Sequence, residues 1–213
     1  MTTRTLTAAA TLVTAAGLLM TGCSSSGDQS SGPIKGVQTA APSSAAPSAL
    51  SSTQRPKITL PSDLHLVFEG DKTGNSTKDA VLYDNEQFIE ATHQAIARSN
   101  PNDTAYQSYA EGPAGADTYK WIKTFVDAHM RSTGTARYYD REVMIGGDGS
   151  ATISYCEDES KAYGKDLKSG KVEVTPATTN SYVYYAGSVK RNSKGIWVAE
   201  QMTSQRGAVK CQP

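Results

Sequence analysis

The hydrophobic pattern changes its period near Gly134, and this change constrains the fold more than any other feature of the chain. Before Gly134 apolar residues recur at helical spacing, whereas after it they alternate along segments rich in Val, Ile, Tyr and Thr. Helices followed by a run of strands is an α+β order, because a parallel sheet would require alternating strands and helices. The pattern therefore predicts N-terminal helices packed in a strongly curved antiparallel β-sheet.

Individual elements follow from this periodicity and from its breaks. A short strand at 64–68 precedes helices predicted at 77–98, 103–110 and 117–131, with Thr77 as the first N-cap and Gly112-Pro113 as a break. Further strands are predicted at 136–145, 150–157, 171–175, 181–191 and 196–203. Glycine-containing turns at 146–149, 169–170 and 192–195 are typical of hairpins, which supports consecutive antiparallel pairing.

The first 23 residues resemble a bacterial export signal that ends in a lipobox. Arg4 precedes an uncharged stretch of about 16 residues, which is shorter than the roughly 20 apolar residues of a membrane-spanning helix. Met20-Thr21-Gly22-Cys23 resembles the lipobox, with Met20 in place of the usual Leu. The resemblance implies that 1–22 is a lipoprotein signal peptide and that Cys23 carries diacylglycerol. The alternative is an ordinary secretory signal in which Cys23 is incidental.

Residues 23–57 are expected to form a tether between the membrane and a folded domain. Ser, Ala, Gly and Pro dominate this stretch, which holds too few apolar residues to build a core. As a flexible coil its last 34 or so residues would span on the order of 30 to 35 Å. We therefore expect one globular α+β domain over 58–213, anchored by lipid on the extracytoplasmic face of the cell membrane.

The cysteine count fits this location. The chain has three cysteines, and lipidation of Cys23 leaves Cys156 and Cys211 as a pair. Disulfides persist in oxidising compartments outside the cytoplasm, so a structural bridge between these two is expected. A redox-active pair would more typically show a C-x-x-C spacing, which is missing from the sequence.

Charge and motifs exclude several classes of function. From residue 58 onward there are 17 Lys and Arg against 20 Asp and Glu, so no nucleic-acid partner is expected. The sequence lacks a P-loop, a dinucleotide fingerprint and a nucleophile elbow. It also lacks histidine or cysteine pairs at zinc-binding spacing. We therefore expect neither a cofactor nor a metal ion.

Three side chains are candidates for ligand binding. His129 follows Ile122 and Val126 on one helical stripe, so it points into the domain as a general base or merely caps the helix. Strand alternation places Arg141 with Tyr139 on the buried face, where the guanidinium would bind an anionic ligand or pair with a carboxylate.

Other polar residues receive a structural interpretation. His93 lies between apolar residues of the first helix, and a catalytic role is discounted for it as for His129. Glu157-Asp158-Glu159 fits a solvated loop better than a cation site. The chain has eleven tyrosines against three phenylalanines, and several of the tyrosines fall on predicted strands. Such tyrosines suit a pocket, a protein interface or simply an ordinary sheet.

The organisation over residues 77–211 resembles the nuclear-transport-factor-2-like fold, also called SnoaL-like within the cystatin superfold. It is similar in particular to secreted actinobacterial lipoproteins of that shape. The residues that carry the resemblance are 133–134, 138–140, 153–161, 169–171, 195–198 and Cys211. The resemblance implies a cone-shaped domain, but no activity, because this fold hosts isomerases, dehydratases, ligand binders and assembling domains.

The expected function is that of a non-catalytic module that binds an envelope protein or a small ligand. Two alternatives stay open: a small enzyme of isomerase, dehydratase or hydrolase type with the cone as active site, and an assembly subunit of an envelope machine. The interior of the cone distinguishes an enzyme from a binding module. A deep open cavity with convergent carboxylate, His and Tyr groups favours chemistry, whereas a cavity filled by side chains excludes it.

Overall fold

Three α-helices and six strands are the main elements of the part of the chain that the computed structural model describes, residues 55–213. In chain order the elements are β1 Leu64–Phe68, α1 Ser76–Ala97, α2 Thr104–Gln107, α3 Gly112–Ala128, β2 Met130–Ile145, β3 Ser150–Asp166, β4 Val172–Glu173, β5 Tyr182–Arg191 and β6 Trp197–Arg206. The α+β class is thereby confirmed. Within these residues, no helix combines the length and apolarity that crossing a membrane requires. The predicted signal peptide, Cys23 and nearly all of the tether lie outside the described residues.

The six strands form one mixed sheet in the order β1-β2-β3-β5-β6, and β4 pairs with the far end of β3. β1 runs parallel to β2, with Leu64 opposite Gly134 and Phe68 opposite Tyr138. This corrects the expectation of a purely antiparallel sheet. The physical reason is the connection between β1 and β2, since three intervening helices can return the chain in the same direction, whereas a hairpin cannot.

The helix ends are set by local capping. The side chain of Asn75, rather than that of Thr77, caps α1 by accepting hydrogen bonds from the backbone N–H groups of Thr77 and Lys78. α3 begins at Gly112, five residues before the predicted start, because Pro113 fits the first helical turn, where its missing N–H group is not needed. His129 adopts a left-handed conformation that ends α3, so β2 starts at Met130 rather than at 136.

A β-bulge in β2 decides which residues face the helices. Asp140 has a positive φ of 48°, and the pairing with β3 shifts register between Tyr139 and Glu142. One extra residue reverses the alternation of side chains along the strand. Tyr138, Arg141 and Val143 are therefore buried, and Tyr139 points to the opposite face. The prediction that Tyr139 and Arg141 share a face was wrong for this reason.

The core lies between α1, α2, α3 and one face of the sheet, which we call the inner face. α1 packs against β2 and β6, and α3 packs against β6. The largest fully buried apolar side chains are Tyr106, Tyr109, Leu82, Ile96, Ile122, Ile153, Ile196, Val81 and Val183. Burial of each aliphatic side chain contributes about 1.5 to 3 kcal/mol to folding.

Arg55, the first described residue, already contacts the domain, three residues before the expected boundary at 58. The Arg55 guanidinium bonds to both carboxylate oxygens of Asp84, at 2.8 and 3.1 Å, and Asp84 also accepts a 2.9 Å hydrogen bond from the Trp197 backbone N–H. Burial raises the pKa of Asp84 despite these bonds. The pair fixes the start of the described chain against α1 and β6.

Cys156 and Cys211 form a disulfide, in agreement with the pairing expected from the sequence. Cys156 lies on the outer face of the sheet, because its neighbours Tyr155 and Glu157 point to the inner face. The Tyr139 hydroxyl donates to the Cys211 carbonyl oxygen, and the Lys210 ammonium lies 3.0 Å from the centre of the Tyr184 ring. The bridge thus holds the C-terminal residues against the outer face.

Candidate functional site

A cavity of about 360 Å³ opens between α1, α3 and the inner face of the sheet. Its size is within the range of small-molecule sites, which is about 300 to 1,000 Å³. The lining residues are Phe88, Ile89, Thr92 and His93 from α1, Ala114, Asp117, Thr118 and Trp121 from α3, and Tyr138, Tyr155, Glu157, Tyr185, Met202, Thr203 and Ser204 from the sheet. The surface of the cavity is mainly apolar and aromatic, although seven of the fifteen lining residues are polar.

Glu157 is the buried carboxyl group of this cavity. It follows Ile153 and Tyr155 on the inward positions of β3, and only 6% of the residue is exposed. Burial and the nearby charge of Glu159 together raise the pKa of Glu157 to about 7, although the hydroxyls of Tyr138 and Tyr185 partly oppose the rise. Near neutral pH the carboxyl group is therefore present in both protonation states.

Three tyrosines surround the carboxyl group. The rings of Tyr155 and Tyr185 stack at a centroid distance of 5.0 Å, and Tyr138 meets Tyr155 edge-on at 6.1 Å. The Tyr138 hydroxyl donates a 2.7 Å hydrogen bond to Glu157 Oε1. Burial raises the pKa of all three tyrosines, so their hydroxyls remain protonated at neutral pH, and those of Tyr138 and Tyr185 hydrogen-bond Glu157.

His93 and Trp121 form the helical side of the cavity. The His93 imidazole meets the Trp121 ring edge-on at 6.0 Å, and Trp121 in turn contacts Phe125 at 5.0 Å. Burial lowers the pKa of His93 to about 4, so the ring is neutral at physiological pH. Trp121 is 41% exposed, which places part of an aromatic surface where the cavity meets solvent.

None of the three candidates from the sequence lines this cavity. Arg141 is buried between α1 and the sheet, where it bonds to the Glu86 carboxylate at 2.6 Å and to the Leu82 carbonyl oxygen at 2.9 Å. This is the ion-pair alternative rather than anion binding. Tyr139 lies on the outer face, and His129 is exposed at the end of α3.

Sequence reasoning missed Glu157, which it placed in a solvated loop. β3 continues to Asp166, so residues 157–159 belong to a strand and only Asp158 and Glu159 pair with arginines, Arg137 and Arg206. The signal was present, because the inward alternation of Ala151, Ile153 and Tyr155 leads directly to residue 157. A carboxylate at the next inward position breaks the apolar pattern, and such a break often marks a site.

Comparison with solved structures finds many remote likenesses, among them the following three. A ketosteroid isomerase-like protein from Erwinia carotovora atroseptica SCRI1043 matches with a TM-score of 0.42 and 12% identity, over 62% of this chain and 97% of that one. A putative scytalone dehydratase from Novosphingobium aromaticivorans DSM 12444 matches with a TM-score of 0.39 and 12% identity, over 64% and 95%. An NTF-2-like protein of unknown function from Shewanella oneidensis MR-1 matches with a TM-score of 0.34 and 13% identity, over 57% and 96%.

No family model and no curated protein matches the sequence. The structural likenesses, at 12 to 13% identity and TM-scores below 0.5, assign neither a family nor an activity.

The arrangement has a definite chemical capacity. A carboxyl group held by tyrosine hydroxyls in an apolar cavity can hydrogen-bond the polar group of a largely apolar molecule. It can also give or take a proton near neutral pH. Within residues 55–213, no three His, Cys, Asp or Glu side chains converge to hold a metal ion.

Proposed function

We propose that the domain binds a small, mostly apolar molecule in this cavity, and that Glu157 hydrogen-bonds a polar group of that molecule. The observation that carries the proposal is a buried carboxyl group facing open space between aromatic side chains. Removing a carboxyl group from water costs free energy, and a ligand that pairs with it recovers part of that cost. A concave apolar cavity also suits a small molecule better than a protein partner, which would more often meet a broader surface.

We also propose the setting that the sequence suggests. The domain is of the cone-shaped, nuclear-transport-factor-2-like kind, and lipid on Cys23 holds it on the extracytoplasmic face of the cell membrane. The helix-then-strand order supports the first part. The Cys156–Cys211 bridge supports the second, because disulfides persist outside the reducing cytoplasm.

A second candidate function is proton-transfer catalysis on the bound molecule. Glu157 favours it, since a pKa of about 7 suits a general acid or base at neutral pH. The hydroxyls of Tyr138 and Tyr185 donate to Glu157 and would stabilise its carboxylate form after it gives up a proton. An isomerase, dehydratase or hydrolase of this kind would use the same cavity.

Fluorescence titration of the purified full-length protein with 2-naphthol tests the binding proposal. We expect saturable binding to the wild type, and binding weakened about tenfold by Glu157→Gln, because a hydrogen bond to a charged carboxylate is replaced by one to a neutral amide oxygen. Glu142→Gln, which changes an exposed glutamate of β2, is the matched control and should bind as the wild type does. Equal affinity in Glu157→Gln and wild type would contradict the proposal.

Deuterium uptake by 2-tetralone tests the catalytic candidate separately. The protons of C1, between the carbonyl group and the ring, exchange slowly with solvent, and a general base in the cavity would accelerate the exchange. Acceleration by the wild type that is absent in Glu157→Gln supports proton transfer. Exchange at the buffer rate, together with normal 2-naphthol binding, leaves a binding protein and excludes this activity on ketone substrates.

A further inference from the structure

His93 has an unusual position for a histidine of a helix interior. It lies on α1, is only 8% exposed, and lines the cavity together with Glu157, which comes from a different wall. It contacts an aromatic residue of α3, since the imidazole and the Trp121 ring meet edge-on. The ring is therefore held between the core and the cavity rather than at the surface.

The Nδ1 atom of His93 has no hydrogen-bond partner among the described residues. Buried polar atoms in native proteins are nearly always paired, and an unpaired one costs about 1 to 3 kcal/mol. A neutral imidazole offers one donor and one acceptor nitrogen. Nδ1 itself has almost no accessible surface, so a polar group of a bound molecule becomes its partner when the imidazole turns toward the cavity that His93 lines.

Other buried polar side chains of α1 near His93 are satisfied within the protein. The Thr92 hydroxyl, which also lines the cavity, donates to the Phe88 carbonyl oxygen at 2.7 Å. The Gln94 side chain accepts from the Thr59 backbone N–H at 2.7 Å and donates to Asp103. His93 is thus the member of this group that is left for a ligand.

We infer that His93 is the second polar contact of the cavity and that its ligand is a flat molecule with polar groups at two positions. One group meets Glu157 on β3, and the other meets His93 on α1. The flat shape follows from the aromatic walls, where the stacked Tyr155 and Tyr185 face the cavity from the sheet and Trp121 from α3. This inference rests on the proposed binding function and specifies its class of ligand.

A series of naphthols tests the inference with the full-length protein. 2-Naphthol has one hydroxyl, whereas 2,3-, 2,6- and 2,7-dihydroxynaphthalene place a second hydroxyl at different distances from the first. We expect at least one diol to bind the wild type about tenfold more tightly than 2-naphthol. In His93→Phe this gain should vanish, so that the diol and 2-naphthol bind the variant with equal affinity, and saturable binding of 2-naphthol by the variant reports a folded cavity.

Two further variants sharpen the result. Thr92→Val removes a hydroxyl that is already paired within α1, so it should keep the full gain from the second hydroxyl. His93→Asn keeps a polar atom near the position of Nδ1 and should keep part of the gain. If His93→Phe does not fold, His93→Leu takes its place with the same expectations.

The outcomes separate the two proposals. If 2-naphthol shows no saturable binding to the wild type, the proposed function is contradicted, and the role of His93 is contradicted with it. If 2-naphthol binds but no diol binds more tightly, or if the gain survives in His93→Phe, only the role of His93 and the two-group ligand are overturned.

Discussion

Tyr138 and Glu157 are direct cross-strand partners in β2 and β3, and the hydroxyl of the first donates to a carboxylate oxygen of the second across 2.7 Å. Strand register therefore sets the geometry of this bond. The Tyr138 ring is fixed in addition by stacking on Phe68 at 4.8 Å. The carboxyl group of the cavity is thus held by the sheet itself rather than by a mobile loop, which is how a preorganised binding group is built.

Glu157→Gln should change how stability depends on pH. In the folded protein the carboxyl group keeps its proton up to about pH 7, whereas an ordinary glutamate loses it above 4.5. The folded state therefore binds more protons in this window, and wild-type stability from this group is greatest below pH 4.5 and is lost as the pH rises toward 7. Gln does not titrate. The free energy of unfolding of the variant, relative to that of the wild type, should therefore rise by on the order of 3 kcal/mol as the pH goes from 4.5 to above 7.

Urea unfolding of both proteins across this pH range checks the prediction. Only the difference between variant and wild type is informative, because His93 contributes an opposite dependence with its lowered pKa. Glu142→Gln should show no such change. A constant difference between Glu157→Gln and the wild type from pH 4.5 to 8 would mean that Glu157 is not a perturbed carboxyl group.

Tyr138→Phe should cost more stability at pH 8 than at pH 5. A hydrogen bond to a charged carboxylate contributes roughly 1.5 to 3 kcal/mol, whereas one to a neutral group contributes about 0.5 to 1.5 kcal/mol. The phenylalanine ring keeps the stacking on Phe68, so the loss is confined to the hydroxyl. Urea midpoints at the two pH values measure it, and the double variant with Glu157→Gln should lose the pH dependence. An equal cost at both pH values would contradict the charge-assisted bond.

The sequence predicted the broad layout of the fold because layout depends on periodicity, which is a local property. The change from helices to strands and most strand positions followed from periodicity, and the paired cysteines followed separately from the cysteine count. The parallel pairing of β1 did not, since nothing local tells a short strand at 64–68 which neighbour it will find. The bulge at Asp140 was equally hidden, and it alone separated Tyr139 from Arg141.

The site was harder to predict than the fold for a physical reason. Glu157 lies beside two other acidic residues, and such a run is usually solvated. The acidic run therefore predicted a loop, although the alternation of inward residues along the strand pointed to a buried position. His93 lies on an apolar stripe of α1, where a histidine is commonly just part of the core. Only the positions of α1 and α3 over the sheet bring these two residues to one cavity, and that packing involves residues far apart in the chain.

Replacing both Cys156 and Cys211 by serine should reduce stability but preserve binding. The bridge joins residues 55 apart, and in the chain-entropy model a loop of that length contributes about 4 kcal/mol. Binding of 2-naphthol should persist, because the bridge lies on the outer face of the sheet. In the unreduced, unfolded wild type, titration of free thiols should find neither cysteine reactive. Two reactive thiols besides Cys23 would show that the bridge does not form.

Cys23 should be the acylated first residue of the mature protein. The prediction rests on Met20-Thr21-Gly22-Cys23 and on the Ser, Ala and Pro-rich stretch that follows. Intact-mass analysis of the membrane-extracted protein should show loss of residues 1–22 and addition of lipid. A Cys23→Ala product that remains membrane-bound and is processed at the same bond would exclude the lipobox interpretation.

The central claim, that the cavity is a ligand site built around Glu157, is tested most directly by carboxyl ¹³C NMR of the glutamate-labelled protein. The Glu157 signal is assigned by its loss in Glu157→Gln. We predict that this signal titrates with a midpoint near 7 in the free protein and that saturation with 2-naphthol changes the midpoint. A midpoint near 4.5 that 2-naphthol leaves unchanged would contradict the account.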